Sequence, residues 1–193
     1  MRKERVGFAL CGSFCTHQQV LGELEKLCSE YETVLPIVSE ICRYTDSRFG
    51  KAEDMIRRLE EMTGRPVMDT VSAVEPIGPK KLLDVLVIAP CTGNTIGKLA
   101  AGITDTAVTM AAKAHLRNDK PVVIGVASND GLSGAARNLG TLLVRKNYFF
   151  VPFGQDDPHG KCCSLMADFS QLGETVAAAL EGKQLQPVLL GHR

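Results

Sequence analysis

The sequence lacks an excess of charge of either sign. Its 22 Lys and Arg residues balance 22 Asp and Glu, so the formal net charge is zero. A strongly basic footprint for nucleic acid is therefore absent. No stretch approaches the ~20 consecutive apolar residues that a membrane-spanning helix needs. The first residues, Met1-Arg2-Lys3-Glu4-Arg5, lead straight into a strand-like run and carry no signal-peptide architecture. No internal repeat and no low-complexity tract is visible. The seven cysteines are odd in number and irregular in spacing. They make no disulfide framework and read as reduced thiols in a cytoplasmic protein. Cys11 and Cys15 lack the second cysteine pair or histidines of a zinc site, so no metal is expected. What is present is a chain of 193 residues, 45% of them hydrophobic. That is enough for a sizeable core in one domain spanning residues 1–193.

Short β-branched runs alternate with longer helical patterns. Strands are predicted at Val6–Leu10, Thr33–Val38, Val85–Ala89, Val122–Val126 and Tyr148–Val151. The runs at 85–89 and 122–126 are almost wholly apolar, as strands buried on both faces are. Helices are predicted over Gln18–Ser29, Ala52–Thr63, Asn94–Ala101, Thr106–Arg117, Leu132–Lys146 and Ser170–Glu181. Ile41–Asp46 and Gln155–Leu165 read as irregular loops, and Met68–Lys81 as an edge strand and linker. This alternation predicts an α/β fold: one doubly wound, Rossmann-like domain with a mainly parallel sheet of about six strands.

Ligands of open parallel sheets bind outside the carboxyl ends of the strands. That rule selects four loops: Cys11–His17, Ser39–Thr45, Pro90–Thr95 and Ala127–Gly134. All are rich in Gly, Ser, Thr and Asn. The first joins a strand to a helix, and its backbone N–H groups suit a phosphate, although it is neither a G-x-G-x-x-G nor a Walker loop. An ordinary helix cap formed by Ser13 or Thr16 is the competing reading. His17 follows this loop, as a capping or surface residue in preference to a phosphate donor. His115 lies late in a helix, where a cationic His suits the dipole.

The segment Pro90-Cys91-Thr92-Gly93-Asn94-Thr95 resembles the Pro-Ala-Ser-Ala-Asn-Thr signature of the flavin-containing cysteine decarboxylases and their wider flavoprotein family. Lys98 to Asp105 continues the resemblance, and Gly160-Lys161 with Leu165-Met166-Ala167-Asp168 resembles a further segment of it. The resemblance implies FMN as cofactor, with Gly12 and Ser13 at the phosphate and Ser39 near the ribityl chain or ring. Pro90, Thr92, Asn94 and Thr95 would line the same site, and Asn129 would face the substrate. Two features depart from the decarboxylases. Their catalytic His falls near Pro76 here, and their Pro-x-Met-Asn loop survives only as Val126-Ala127-Ser128-Asn129. No catalytic residue is therefore assigned.

Ile77-Gly78-Pro79-Lys80-Lys81 before the third strand resembles instead a branch of the family found in spore-forming bacteria. That branch implies work with a second, different subunit on a small dicarboxylate, an oxidoreductase reaction, and a nicotinamide carried by the partner. Lys161 and Arg43 are the candidate cations for the carboxylates. A decarboxylase-like flavoenzyme, a flavin prenyltransferase relative and a non-catalytic partner-stabilising protein are the alternatives. A homo-oligomer, a trimer or a multiple of trimers, is expected from the resemblance. The small-residue helix Thr106–Ala114, with Ala107, Ala111, Ala112 and Ala114, offers a surface for close packing against a neighbour.

Overall fold

A computed structural model describes residues 1–191. The apolar runs form β1 (Arg2–Leu10), β2 (Tyr31–Val38), β3 (Val85–Cys91), β4 (Val122–Ser128) and β5 (Tyr148–Phe150). These five strands are parallel, in the order β2-β1-β3-β4-β5. Two short strands follow, β6 (Phe153–Gly154) and β7 (Leu165–Ala167). β7 pairs antiparallel with the far end of β4 at Ala127 and Ser128, and β6 pairs antiparallel with β7. Among the described residues the sheet therefore has seven strands, where the sequence predicts about six. A strand of two or three residues is too short to show a period of two.

Eight α-helices cover the sheet among the described residues: α1 (His17–Glu30), α2 (Glu40–Tyr44), α3 (Ala52–Thr63), α4 (Val71–Val74), α5 (Gly93–Ala101), α6 (Ala107–Leu116), α7 (Ala136–Leu143) and α8 (Leu172–Leu180). α2 occupies the stretch read as loop, and α7 starts four residues later than the sequence pattern implies. α3 buries Ile56 and Leu59 and ends at Gly64, whose φ of 63° suits a residue without a side chain. Thr106 opens α6 with a capping box to Thr109.

β3 and β4 are buried along their whole length. Each Val, Leu or Ile side chain removed from water there contributes about 1.5–3 kcal/mol. A side-chain carbon on Gly125 would lie 2.8 Å from the Phe169 ring and 3.0 Å from Ala89. Glycine is thus what lets Phe169, ahead of α8, close over the sheet centre. The alanines of α6 also point inward: Ala107, Ala111, Ala112 and Ala114 are all buried within the chain. Ala114 packs under the Glu75–Gly78 turn, where a Gly78 side chain would meet its carbonyl at 3.0 Å. This face is consumed by the fold and is not the surface for a neighbour that the sequence suggests.

From β1 the chain crosses to β2 on one side, and β3 lies on the other. The direction of winding therefore reverses between β1 and β3. Their carboxyl-end loops diverge there and open a crevice, the place where this strand order accepts ligands.

Candidate functional site

The crevice is a cleft of about 850 Å³ lined from four loops. Its first wall is the turn after β1. Ser13 is left-handed there (φ 70°, ψ 51°), and its carbonyl accepts the Thr16 N–H at 2.9 Å and the Thr16 hydroxyl at 2.8 Å. A serine in this region is uncommon and marks a turn held by its surroundings. The second wall is the turn after β3, which follows a cis Ala89–Pro90 peptide. Thr92 caps α5 by accepting the Thr95 N–H at 3.4 Å. The Thr95 hydroxyl donates to Cys11 Sγ at 3.4 Å. One side-chain contact thus ties the two turns together across the switch point.

The third wall is the end of β4. The Ser128 hydroxyl donates to the Asp130 carboxylate, and the Asp130 main-chain carbonyl collects the N–H groups of Ser133 and Ala135 at 2.9 and 3.1 Å. A side chain on Gly93 would strike Asp130 Oδ1 and Ser128 Oγ, both at 2.6 Å. Only glycine lets the β3 and β4 turns approach this closely. The fourth wall is the β6–β7 loop. Lys161 pairs there with Asp156 at 3.5 Å, the Gly160 N–H donates to Asp157 at 2.8 Å, and Gln155 donates to the Cys162 carbonyl at 2.8 Å. The Leu132 N–H, donating to the Cys163 carbonyl at 2.9 Å, fastens this loop to the β4 turn.

The structure brings Ser13, Thr92, Asn94, Asn129 and Lys161 together on this cleft. Gly12 and Pro90 lie in the supporting turns, Pro90 buried at the end of β3. Thr95 is buried, with its hydroxyl turned to Cys11. Ser39 is buried and donates to Cys42 Sγ at 3.4 Å, away from the cleft lining. Arg43 is further removed. Its Nε donates to Asp69 at 2.7 Å and its guanidinium lies over the Tyr44 ring. Asn94 and Asn129 are exposed, and neither side chain has a partner among the described residues. Their amides are available to a ligand.

His17 is buried, not at the surface, with Nε2 2.8 Å from the Cys11 carbonyl. A carbonyl partner requires that nitrogen to carry the proton. Burial holds the imidazole below its ordinary pKa and therefore neutral. His115 is fully buried, and burial lowers its pKa to about 4. It is neutral rather than the cation the helix end suggested. Burial also pushes the Cys11 thiol up to about 12 and raises Cys91 well above its usual range, so neither is a thiolate. No three His, Cys, Asp or Glu side chains gather as a metal site among the described residues. No helix among them is long and apolar enough to cross a membrane.

Sequence reasoning missed Asp130 and Ser128. The only hint was position, one residue either side of Asn129 at the end of a buried strand. It also missed that Cys15, Cys162 and Cys163 share the cleft.

Residues 2–136 match the Flavoprotein family. The chain is 44% identical to the B subunit of dipicolinate synthase from Bacillus subtilis over 190 residues, covering 98% of this chain and 95% of that one. The crystal structure of the corresponding B subunit from Bacillus halodurans matches it with a TM-score of 0.90 at 44% identity, over 98% of this chain and 97% of the other. The FMN-dependent cysteine decarboxylase SpaF shares the fold, with a TM-score of 0.68 at 22% identity over 91% of this chain and 97% of that one. The chain belongs to the Flavoprotein family, among the close homologues of the dipicolinate synthase B subunit.

Proposed function

We propose that the chain acts as the flavin-holding component of a dipicolinate-forming enzyme. It works with the A component of that synthase in the cytoplasm of the mother cell of a sporulating bacterium. The reaction is the oxidation of a dihydropyridine dicarboxylate to pyridine-2,6-dicarboxylate. It removes one hydride from carbon and one proton from nitrogen. The observation that carries this reading is that the family signature, Thr92-Gly93-Asn94, meets Ser13 and Asn129 on one cleft in a chain with so close a full-length relative.

The cleft fits FMN on three counts. Its volume falls within the ~300–1,000 Å³ of small-ligand sites. The Gly12–Ser13 turn precedes a helix, where backbone N–H groups favour a phosphate. The Thr92–Gly93 turn is small enough for a flat ring, beside the unpartnered amides of Asn94 and Asn129. A flavin held there would supply a two-electron acceptor for that hydride. This chain's own groups position and deprotonate. Asn129 orients the substrate. The Asp130 carboxylate, held by the Ser128 hydroxyl, takes the ring-nitrogen proton. Self-association into trimers completes the open side of the cleft.

Purified chain titrated with FMN should show a shifted and structured flavin absorbance band. Co-expression with the partner component should yield dipicolinate, read by its ultraviolet absorbance. Asp130→Asn should keep FMN binding and fold while lowering turnover by about 10²-fold or more, the usual contribution of a positioned base. A chain that forms dipicolinate with its partner yet never binds FMN removes the flavin from this reading. Full turnover by Asp130→Asn removes the base.

A further inference from the structure

A second cavity, of about 310 Å³, lies on the other side of the β1–α1 turn, between that turn, α1 and the α2–α3 loop. Cys15 lines both cavities, so the turn is a shared partition. The size is at the low end for a small-molecule site and suits a single ring better than a nucleotide. The walls are aromatic. Phe14 packs against the His17 ring at 5.1 Å, and Phe49 stands at the mouth, 55% exposed, on a tight turn closed by Ser47 and Gly50. The Arg48 guanidinium lies over the Phe49 ring at 4.8 Å, which adds a cation beside the mouth. Two cations line the rim, Lys51 and Arg58, and neither has a carboxylate partner among the described residues. The one acid of the rim, Asp54, is engaged by Arg57 at 3.3 Å. The first cleft has the opposite balance: Asp130 and Asp156 line it, and Lys161, its one Lys or Arg among the described residues, already pairs with Asp156.

We propose that this second cavity binds a planar ring dianion of the class the reaction makes, apart from the molecule turned over at Asn129 and Asp130, with Phe14 on the ring and Lys51 and Arg58 on the carboxylates. The choice of ligand rests on the proposed function; the cavity's chemistry, a single-ring dianion, does not. Arg43, the cation the sequence pointed to, is held by Asp69 and lines neither cavity.

The test is calorimetric titration of the full chain, freed of divalent cations by EDTA, with pyridine-2,6-dicarboxylate. Wild-type protein should bind one equivalent. Arg58→Gln and Lys51→Gln should each weaken binding about tenfold or more, as loss of a charge-assisted hydrogen bond does. Lys161→Gln should bind as wild type. Both rim cations are exposed, so the variants keep the fold, which an unchanged FMN titration and melting temperature would verify. Equal affinity in wild type and both rim variants, loss of binding in Lys161→Gln, or no wild-type binding at millimolar ligand overturns the assignment. The FMN titration reads the other cleft separately. FMN binding without dicarboxylate binding sinks this inference alone. Arg58-dependent dicarboxylate binding without FMN binding upholds it and sinks the flavin reading.

Discussion

Replacing Asn94 by Leu isolates ligand binding from folding, because of where its side chain stands. Asn94 is the second residue of α5 and is exposed to the cleft. Its neighbours are committed elsewhere: Thr92 to the helix cap and Thr95 to Cys11. The Asn94 amide has two donors and an acceptor, and none has a partner among the described residues. Leucine keeps the size and is the better helix former. The folded state should therefore change by no more than about 0.5 kcal/mol, as for a surface substitution without partners.

The bound state differs. Leucine leaves one or two ligand polar groups facing an apolar side chain, at roughly 1–3 kcal/mol each. At about 1.4 kcal/mol per tenfold, FMN affinity should fall by at least about fivefold and, where two groups are left unpaired, by as much as about 10⁴-fold. Flavin fluorescence titration of both proteins, with melting curves as control, measures each term. Equal dissociation constants for wild type and Asn94→Leu would show that the cofactor does not use this cleft. A large drop in melting temperature would show that Asn94 has a structural role the hydrogen bonding does not reveal.

Thr92→Ala removes the α5 cap and should lower stability by about 0.5–2 kcal/mol, which calorimetry would read at about 2–4 °C per kcal/mol for a chain of this size. Gly125→Ala forces a methyl between Phe169 and Ala89, contacts of 2.8 and 3.0 Å. It should cost about 1–3 kcal/mol in urea unfolding, and an unchanged midpoint would mean that Phe169 moves freely. His115 has its folded pKa depressed to about 4 from 6.5, so the unfolded state binds the proton more readily. Its contribution is complete above pH 6.5 and drains away as pH falls toward 4, by about 1.4 kcal/mol per unit and about 3 kcal/mol in all. In His115→Gln, the slope of urea-unfolding free energy between pH 6.5 and 4 should flatten by the share of one proton; an unaltered slope would place the titrating group elsewhere.

The parallel sheet was legible because β3 and β4 are apolar almost throughout, a pattern that burial on both faces explains. The signature turn was legible through its resemblance to a known motif, although Thr92, Gly93 and Thr95 also serve the fold. Side chains whose partners are remote in sequence were not. Arg43 read as a free cation because Asp69 is 26 residues away. His17 read as a surface residue because its partner is the main chain of Cys11, and a carbonyl leaves no mark in a sequence. The alanines of α6 fit an interface and a core equally well by composition; their burial within the chain, Ala114 under Gly78, decides for the core.

The two irregular segments show the same limit at the level of function. Residues 41–51 and 155–164 look alike in sequence: polar, short of period, each carrying cations and acids. Their roles diverge through the elements they fold against. The later segment is fastened to the β4 turn by the Leu132–Cys163 hydrogen bond, which sets Lys161 and Asp156 beside each other and cancels their charges at the cleft. The earlier one folds against α1 and α3, where Arg57 engages Asp54 and leaves Arg58 and Lys51 unopposed at an aromatic cavity. Net local charge, the property that selects an anion, thus depends on ion pairing in three dimensions. Counting charges along a loop overstates the first site and conceals the second.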